Sequence, residues 1–269
     1  MKVTVNGVNL NVAQAGSGER ALVFMHFWGG SSRTWSSVIE GLSSRFHCVA
    51  PDARGGGASD APGSGYRITD LADDVEGVIA ALQLKSYVLI GHSMGGKTAQ
   101  VLASRRPRGL RGLALVASAP ASPMQTSQAQ RDQMKGAYAS RDSINWGLDN
   151  ILTGGPISDS EREGVIADAL RLSPGARDGW IDVGSREDYS SDVSKVNVPV
   201  VVIAGEADKV DSLDVVKAHI LPAFRKPETH FLKQRGHLLP IEAPRELVEI
   251  LGEFAARAFE ADAPRGEIA

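Results

Sequence analysis

Ser93 lies in Gly91-His92-Ser93-Met94-Gly95, a G-x-S-x-G pattern, and this pattern does chemistry only on a sharp turn between a strand and a helix. The turn exposes the hydroxyl, and the flanking glycines let the backbone pass close to its neighbours. A serine hydroxyl is a weak nucleophile at neutral pH and needs an imidazole base, itself oriented by a carboxylate. Both residue types follow at the ends of apolar runs. Val201 to Ala204 leaves through Gly205 to Glu206, Ala207 and Asp208, and Gly236-His237 follows the run from Thr229 to Leu232. The order Ser93, Asp208, His237 suits acyl transfer, with Asp208 favoured for its place just past a strand. Glu206 and Asp211 are close enough to take that role instead, and a loop aspartate is more commonly a turn former or helix cap. The other histidines compete less well. His92 should face the opposite side of its strand from Ser93, His219 falls within a helix, and His47 and His230 sit in strand-like runs. Ahead of these residues, His26-Phe27-Trp28-Gly29-Gly30 ends an apolar run, where a loop can offer a backbone N–H to an oxyanion, with the Met94 N–H as the second donor.

These residues need a scaffold of alternating strands and helices. Val3 to Val12 reads as a hairpin turning at Asn6-Gly7. The buried run Ala21 to Met25, a helix-like stretch from Thr34 to Ser44 and the run Cys48 to Ala50 follow. Thr69 can cap a helix that places Leu71, Val75, Val78, Ile79 and Leu82 on one face, with Asp70, Asp73 and Asp74 near its positive end. Tyr87 to Ile90 runs into the serine turn, and the next helix stops at Arg106-Pro107. Leu113 to Val116 and Pro199 to Ile203 are further buried strands. A helix from Ser212 to Ile220, a strand from His230 to Leu232 and an amphipathic helix from Arg245 to Phe259 complete the pattern. Near-continuous apolar strands between helices predict an α/β fold whose mostly parallel central sheet, of about eight strands with an antiparallel start, is flanked by helices.

Residues 120–195 differ in texture. They are polar and helix-like, carry Met124, Met134, Tyr138, Trp146 and Trp180, and are broken at Gly154-Gly155-Pro156 and Ser173-Pro174-Gly175. They are expected to form a helical cap inserted after the sixth strand, between core segments 1–119 and 196–260, with 261–269 a loose tail. Met124, Met134, Trp146 and Trp180, with Phe27 and Trp28 below them, are the expected apolar walls of a substrate pocket, although packing within the cap is the bland role for each of the first four.

At 269 residues, 42% hydrophobic and 23% charged, the composition excludes a collagen, a coiled coil and a disordered chain. A net charge of -3 gives no drive toward nucleic acid or anionic membranes, and neither is expected as a partner. The single cysteine, Cys48, makes no intrachain disulfide and cannot supply a thiolate metal site, so no metal is expected. Met1 to Gly18 lacks the basic and apolar regions of a secretory signal, and no apolar run approaches a membrane span, so a cytoplasmic protein is expected.

The succession of strand, H-x-W-G-G loop, G-H-S-M-G-G, G-x-x-D and G-H resembles the α/β-hydrolase superfamily over nearly the whole chain, specifically its capped, cofactor-free, carboxylesterase-like serine hydrolases. Asp52-Ala-Arg54-Gly55-Gly56-Gly57-Ala58-Ser59 likewise resembles the family's D-x-R-G-x-G-x-S loop and is expected to be structural, with Arg54 a local bridge. The resemblance implies Ser93 as nucleophile, His237 as base, Asp208 as orienting acid, and Trp28 and Met94 as backbone oxyanion donors, on a small-molecule ester without cofactor. Phe27 stands where the family usually has glycine, which makes it the second choice as donor. Serine at the nucleophile position differs from the dehalogenase and epoxide hydrolase branches. Leu238 replaces the tryptophan common after the histidine of carbon–carbon bond hydrolases. Lactones and carbon–carbon bonds remain alternative substrates of the same triad, and a ligand receptor shares the fold. The rival from another class is a phosphate-binding loop, because Gly91 to Thr98 also satisfies G-x-x-x-x-G-K-[ST]. That reading lacks a strand-end aspartate for Mg²⁺, and it treats Lys97 and Thr98 as ligands rather than ordinary helix residues.

Overall fold

The computed structural model describes residues 1–261. Eight strands form one sheet in the order β1-β2-β4-β3-β5-β6-β7-β8: β1 Lys2–Val5, β2 Val8–Ala15, β3 Arg20–Met25, β4 His47–Pro51, β5 Ser86–His92, β6 Leu110–Val116, β7 Val200–Gly205 and β8 Glu228–Leu232. β1 and β2 are antiparallel, joined through Asn6 (φ 50°) and Gly7 (φ 76°), both left-handed as a two-residue hairpin turn requires. β2 pairs antiparallel with β4, and every pair from β4 through β3, β5, β6 and β7 to β8 is parallel. The central strands are apolar on both sides because both are covered. Val23, Leu89, Leu115 and Val202 face one layer, which includes Leu71 and Val75 of α2 (Ile68–Ala81) and Leu102 of α3 (Met94–Ser104). Leu22, Ile90, Ala114 and Ile203 face the other, built on α1 (Ser36–Leu42) and the C-terminal helix Pro244–Glu260. Each buried Leu, Val or Ile contributes roughly 1.5–3 kcal/mol relative to exposure.

Thr69 does not cap α2. The cap position is Arg67, whose N–H donates to Asp70, and the Ile68 N–H donates to Glu187 from far along the chain. Two carboxylates at the positive helix end outcompete a hydroxyl. Arg54 bridges to Asp74 on α2 with two hydrogen bonds of 2.6 Å, both side chains buried, and donates to the Gly65 carbonyl. The bridge therefore ties a loop to a helix, and its charge partner is Asp74, which had been placed only as a dipole-stabilising residue. Cys48 is buried and unpaired. No described helix is long and apolar enough to cross a membrane.

Between β6 and β7 the chain forms α4 Gln128–Gly136, α5 Arg141–Gly147, a π turn Leu148–Leu152, α6 Asp159–Arg171 and α7 Pro174–Asp182. This insertion has a small apolar cluster of its own, Ile144, Leu148, Val165, Ile166 and Ala169, which closes on Phe27 and Leu238 of the loops below. Trp180 and Ile181 instead join the main core beside Ile68. Polar ties complete the contact: Tyr138 Oη donates to the Trp28 carbonyl at 2.8 Å, and Ser31 and Arg33 reach Asp168. Ala261 still belongs to the C-terminal helix, its N–H bonded to the Arg257 carbonyl, and the remainder of the expected tail lies outside the described residues.

Candidate active site

Ser93 occupies the turn between β5 and α3 with φ 53° and ψ −117°, a left-handed shape unfavourable for any residue with a Cβ. Close contacts explain the neighbouring glycines. A Cβ on Gly91 would sit 2.3 Å from the Gly95 carbonyl oxygen, and one on Gly95 would sit 2.5 Å from that of Met25. The Ser93 carbonyl accepts from Gly96, Lys97 and Ala119, which anchors the turn on both sides. Met94 opens α3, so its N–H falls among the helix donors that no intrahelical carbonyl can reach.

His237 and Asp208 meet at 2.9 Å between Nδ1 and Oδ2, almost fully buried. The other oxygen of Asp208 accepts from the backbone of Val210 at 2.7 Å and Asp211 at 3.0 Å. That grip sets the carboxylate's direction and leaves one oxygen for the imidazole. Burial works against a charged His237, but the charge and hydrogen bond of Asp208 outweigh it and raise the imidazole above its ordinary value. Glu206 is exposed and Asp211 makes no hydrogen bond to the ring, so geometry separates the three acids near the end of β7. With Nδ1 donating to Asp208, Nε2 is left to face a nucleophile.

Ser93 and His237 open onto one cavity of about 600 Å³. Phe27, Trp28, Met124, Met134, Trp146 and Trp180 line that cavity too, together with His219, which sequence had set aside as helical. Trp146 is 52% exposed at the edge, whereas Trp180 is buried. Phe27 does not need the glycine its position usually carries. The left-handed residue of this turn is Gly29 (φ 91°), and the Gly30 N–H closes the turn on the Phe27 carbonyl at 3.0 Å. His26 fixes the loop from behind, accepting the Ala53 N–H at Nε2 and donating from Nδ1 to the Phe27 carbonyl. Met94 is buried in the same core cluster as Leu71.

Residues 20–144 match a family model described as the alpha/beta hydrolase fold. The structure superimposes on an esterase from Exiguobacterium antarcticum with a TM-score of 0.87, covering 95% of this chain and 98% of that one at 20% identity. The chain has the α/β-hydrolase fold. Among relatives by sequence, it is 27% identical to a 2-(acetamidomethylene)succinate hydrolase of Mesorhizobium japonicum, over 78% of this chain and 79% of that one. It is 28% identical to 3-oxoadipate enol-lactonase 2 of Acinetobacter baylyi, over 90% and 91%.

Three features of this site are not visible in the sequence. Glu242 accepts from both neighbours of His237, Gly236 at 3.0 Å and Leu238 at 3.1 Å, and from Gly154 at 2.8 Å and Gly155 at 3.2 Å of the insertion. Its place one turn past His237 was the available signal. His92 is fully buried beneath His237, with ring centroids 5.3 Å apart, and Nε2 donates to the His237 carbonyl at 2.8 Å. Burial, reinforced by the nearby His237 charge, pushes its pKa well down and keeps it neutral. Lys97 is not an ordinary helix residue. It is buried, and Nζ donates to the carbonyls of Glu187 at 2.6 Å and Ser122 at 3.3 Å. Thr98 Oγ1 donates to Met94 in its own helix. With both groups engaged away from the turn, the phosphate-loop reading loses its ligands. No group of three or more His, Cys, Asp or Glu among the described residues could hold a metal.

Proposed function

We propose that the chain is a serine hydrolase that cleaves small to medium carboxylic esters. Ser93 Oγ attacks the ester carbonyl while His237 Nε2 takes its proton, and backbone N–H groups of Met94 and Trp28 hold the oxyanion, with Phe27 the second choice. The proton passes to the leaving alcohol, giving an acyl-enzyme and a free alcohol. Water, deprotonated by His237, then releases the acid and restores Ser93. Asp208 holds the imidazole's tautomer and stabilises the imidazolium. The cycle calls on no metal or organic cofactor.

The observation that carries this reading is the 2.9 Å His237–Asp208 bond in the wall of the cavity into which the strained Ser93 turn projects. The insertion, 120–195, serves as a cap whose Met124, Met134, Trp146 and Trp180 complete an apolar pocket with Phe27 and Trp28. A volume of about 600 Å³ suits a substrate of modest size. A lactone is the second reading, supported by the similarity to an enol-lactonase over 90% of the chain. It presents the same carbonyl to the same three residues.

The test is hydrolysis of p-nitrophenyl acetate and butyrate and of a lactone series by wild type and Ser93→Ala, with fluorophosphonate labelling. Wild type should turn over many times and label at Ser93, and the variant should lose activity by several orders of magnitude, ~10⁶-fold in a comparable serine triad. Undiminished turnover in Ser93→Ala would overturn the mechanism. A single event per protein across all substrates would instead mark a receptor.

A further inference from the structure

Asp211 is a carboxyl group without a structural task. It is 1% exposed, and no hydrogen bond reaches its buried Oδ2. Its backbone N–H supports Asp208, but that contact needs no particular side chain. Such a group costs stability unless something arrives to pair with it, because a buried polar atom has given up water for nothing. The residue lines the same cavity as Ser93 and His237, whose wall also includes the apolar Val210, Val215, Ile144 and Leu152. The residue therefore stands in the cavity wall with a carboxyl oxygen that no group of the chain pairs.

We propose that Asp211 is the polar recognition residue of this pocket, and that the preferred substrate is an ester or lactone carrying a hydroxyl group that hydrogen-bonds to it. This rests on the serine-hydrolase reading and adds the substrate's chemistry to it. Burial pushes the carboxyl up to about 8, against the pull of His237 and with the help of Asp208, while Lys97 acts weakly in the lowering direction. His219 and Lys209 also line this cavity. At neutral pH the side chain is thus mostly an uncharged acid, which both donates and accepts. A hydroxyl does both in return, whereas a methyl group in the same place leaves the acid unpaired.

The experiment compares kcat/KM for ester pairs that differ only by hydroxyl against methyl, with the group moved along the acyl chain and onto the alcohol. Wild type should prefer at least one hydroxyl member by about tenfold or more. Asp211→Leu, and Asp211→Ala if leucine does not fit, should abolish that preference, and Asp211→Asn, which keeps a donor and an acceptor, should retain part of it. Equal losses on both members of every pair would make Asp211 a partner of His237 rather than of substrate, and would overturn the proposal. So would the absence of any preference in wild type.

Thermal melting adds a readout that a structural role would not give. The folded carboxyl titrates near 8 and the unfolded one near 3.8, so the unfolded state ionises first and stability drains away as pH rises between them. Relative to wild type, the Tm of both variants should rise progressively from pH 4 toward pH 8. A lower Tm at pH 7 in both Asp211→Leu and Asp211→Ala would identify a structural carboxyl and overturn the inference. Fluorophosphonate labelling keeps the two readings apart. A labelled, active wild type without hydroxyl preference removes only the role of Asp211, and an unlabelled, inactive one removes both.

Discussion

Holding Ser93 at φ 53° and ψ −117° costs about 1–3 kcal/mol, which the surrounding hydrogen bonds must supply. Glycine adopts that shape freely and alanine does not, so Ser93→Gly and Ser93→Ala together weigh the strain. Ser93→Gly should melt roughly 2–4 °C above Ser93→Ala, given about 1 kcal/mol of relief in a chain of this size. Equal melting temperatures would mean that the turn stores no strain. The adjoining residues act by the same economy of position. His92 keeps its ring neutral and spends Nε2 on the carbonyl of His237, so this second imidazole supports His237 without competing for a proton.

Among the elements, the loop that carries His237 is held by a contact between two backbones. A Cβ on Gly236 would lie 2.4 Å from the Gly154 nitrogen, and the N–H groups of His237 and Leu238 both donate to the Leu152 carbonyl. Glu242 closes this junction with its four backbone donors, so one carboxylate holds the His237 loop and fastens the insertion to it. Glu242→Ala leaves the N–H groups of Gly154, Gly155 and Gly236 unpaired and should cost at least about 3 kcal/mol, a drop of several degrees in Tm. Glu242→Gln keeps one acceptor oxygen and loses the charge, which is among the influences that raise His237. Its activity should fall, and the acidic limb of kcat/KM should move to lower pH, because the base then stays unprotonated further down. An unmoved limb together with full activity would leave Glu242 no part in positioning the base.

Over the whole molecule, the insertion divides its aromatic residues between two tasks. Trp180 is 5% exposed and packs into the main core, whereas Trp146 is 52% exposed at the rim of the cavity. Trp180→Ala should therefore destabilise by roughly 3–5 kcal/mol, read as a fall in Tm. Trp146→Ala should leave Tm within a degree or two and shift relative kcat/KM between short and bulky esters. A uniform loss in Trp146→Ala would make this tryptophan a packing residue as well.

Local chemistry was legible in the amino-acid sequence. The serine turn needs glycines that no other residue can replace, parallel strands buried on both faces need unbroken apolar runs, and Asn6-Gly7 is a hairpin turn by itself, so short-range sterics and burial write these features into neighbouring residues. Contacts between distant segments left no such mark. The pairing of His237 with Asp208 rather than Asp211 or Glu206 depends on which carboxylate the turn after β7 aims at the ring, and three acids so close in sequence look alike until that turn is folded. Glu187 capping α2 in place of Thr69, Lys97 bound to two carbonyls of the chain beyond β6, and Glu242 gathering donors from both sides of the site join residues far apart in the chain. Such bonds form only where packing has brought the segments together and removed water, which is why tertiary structure alone decided them.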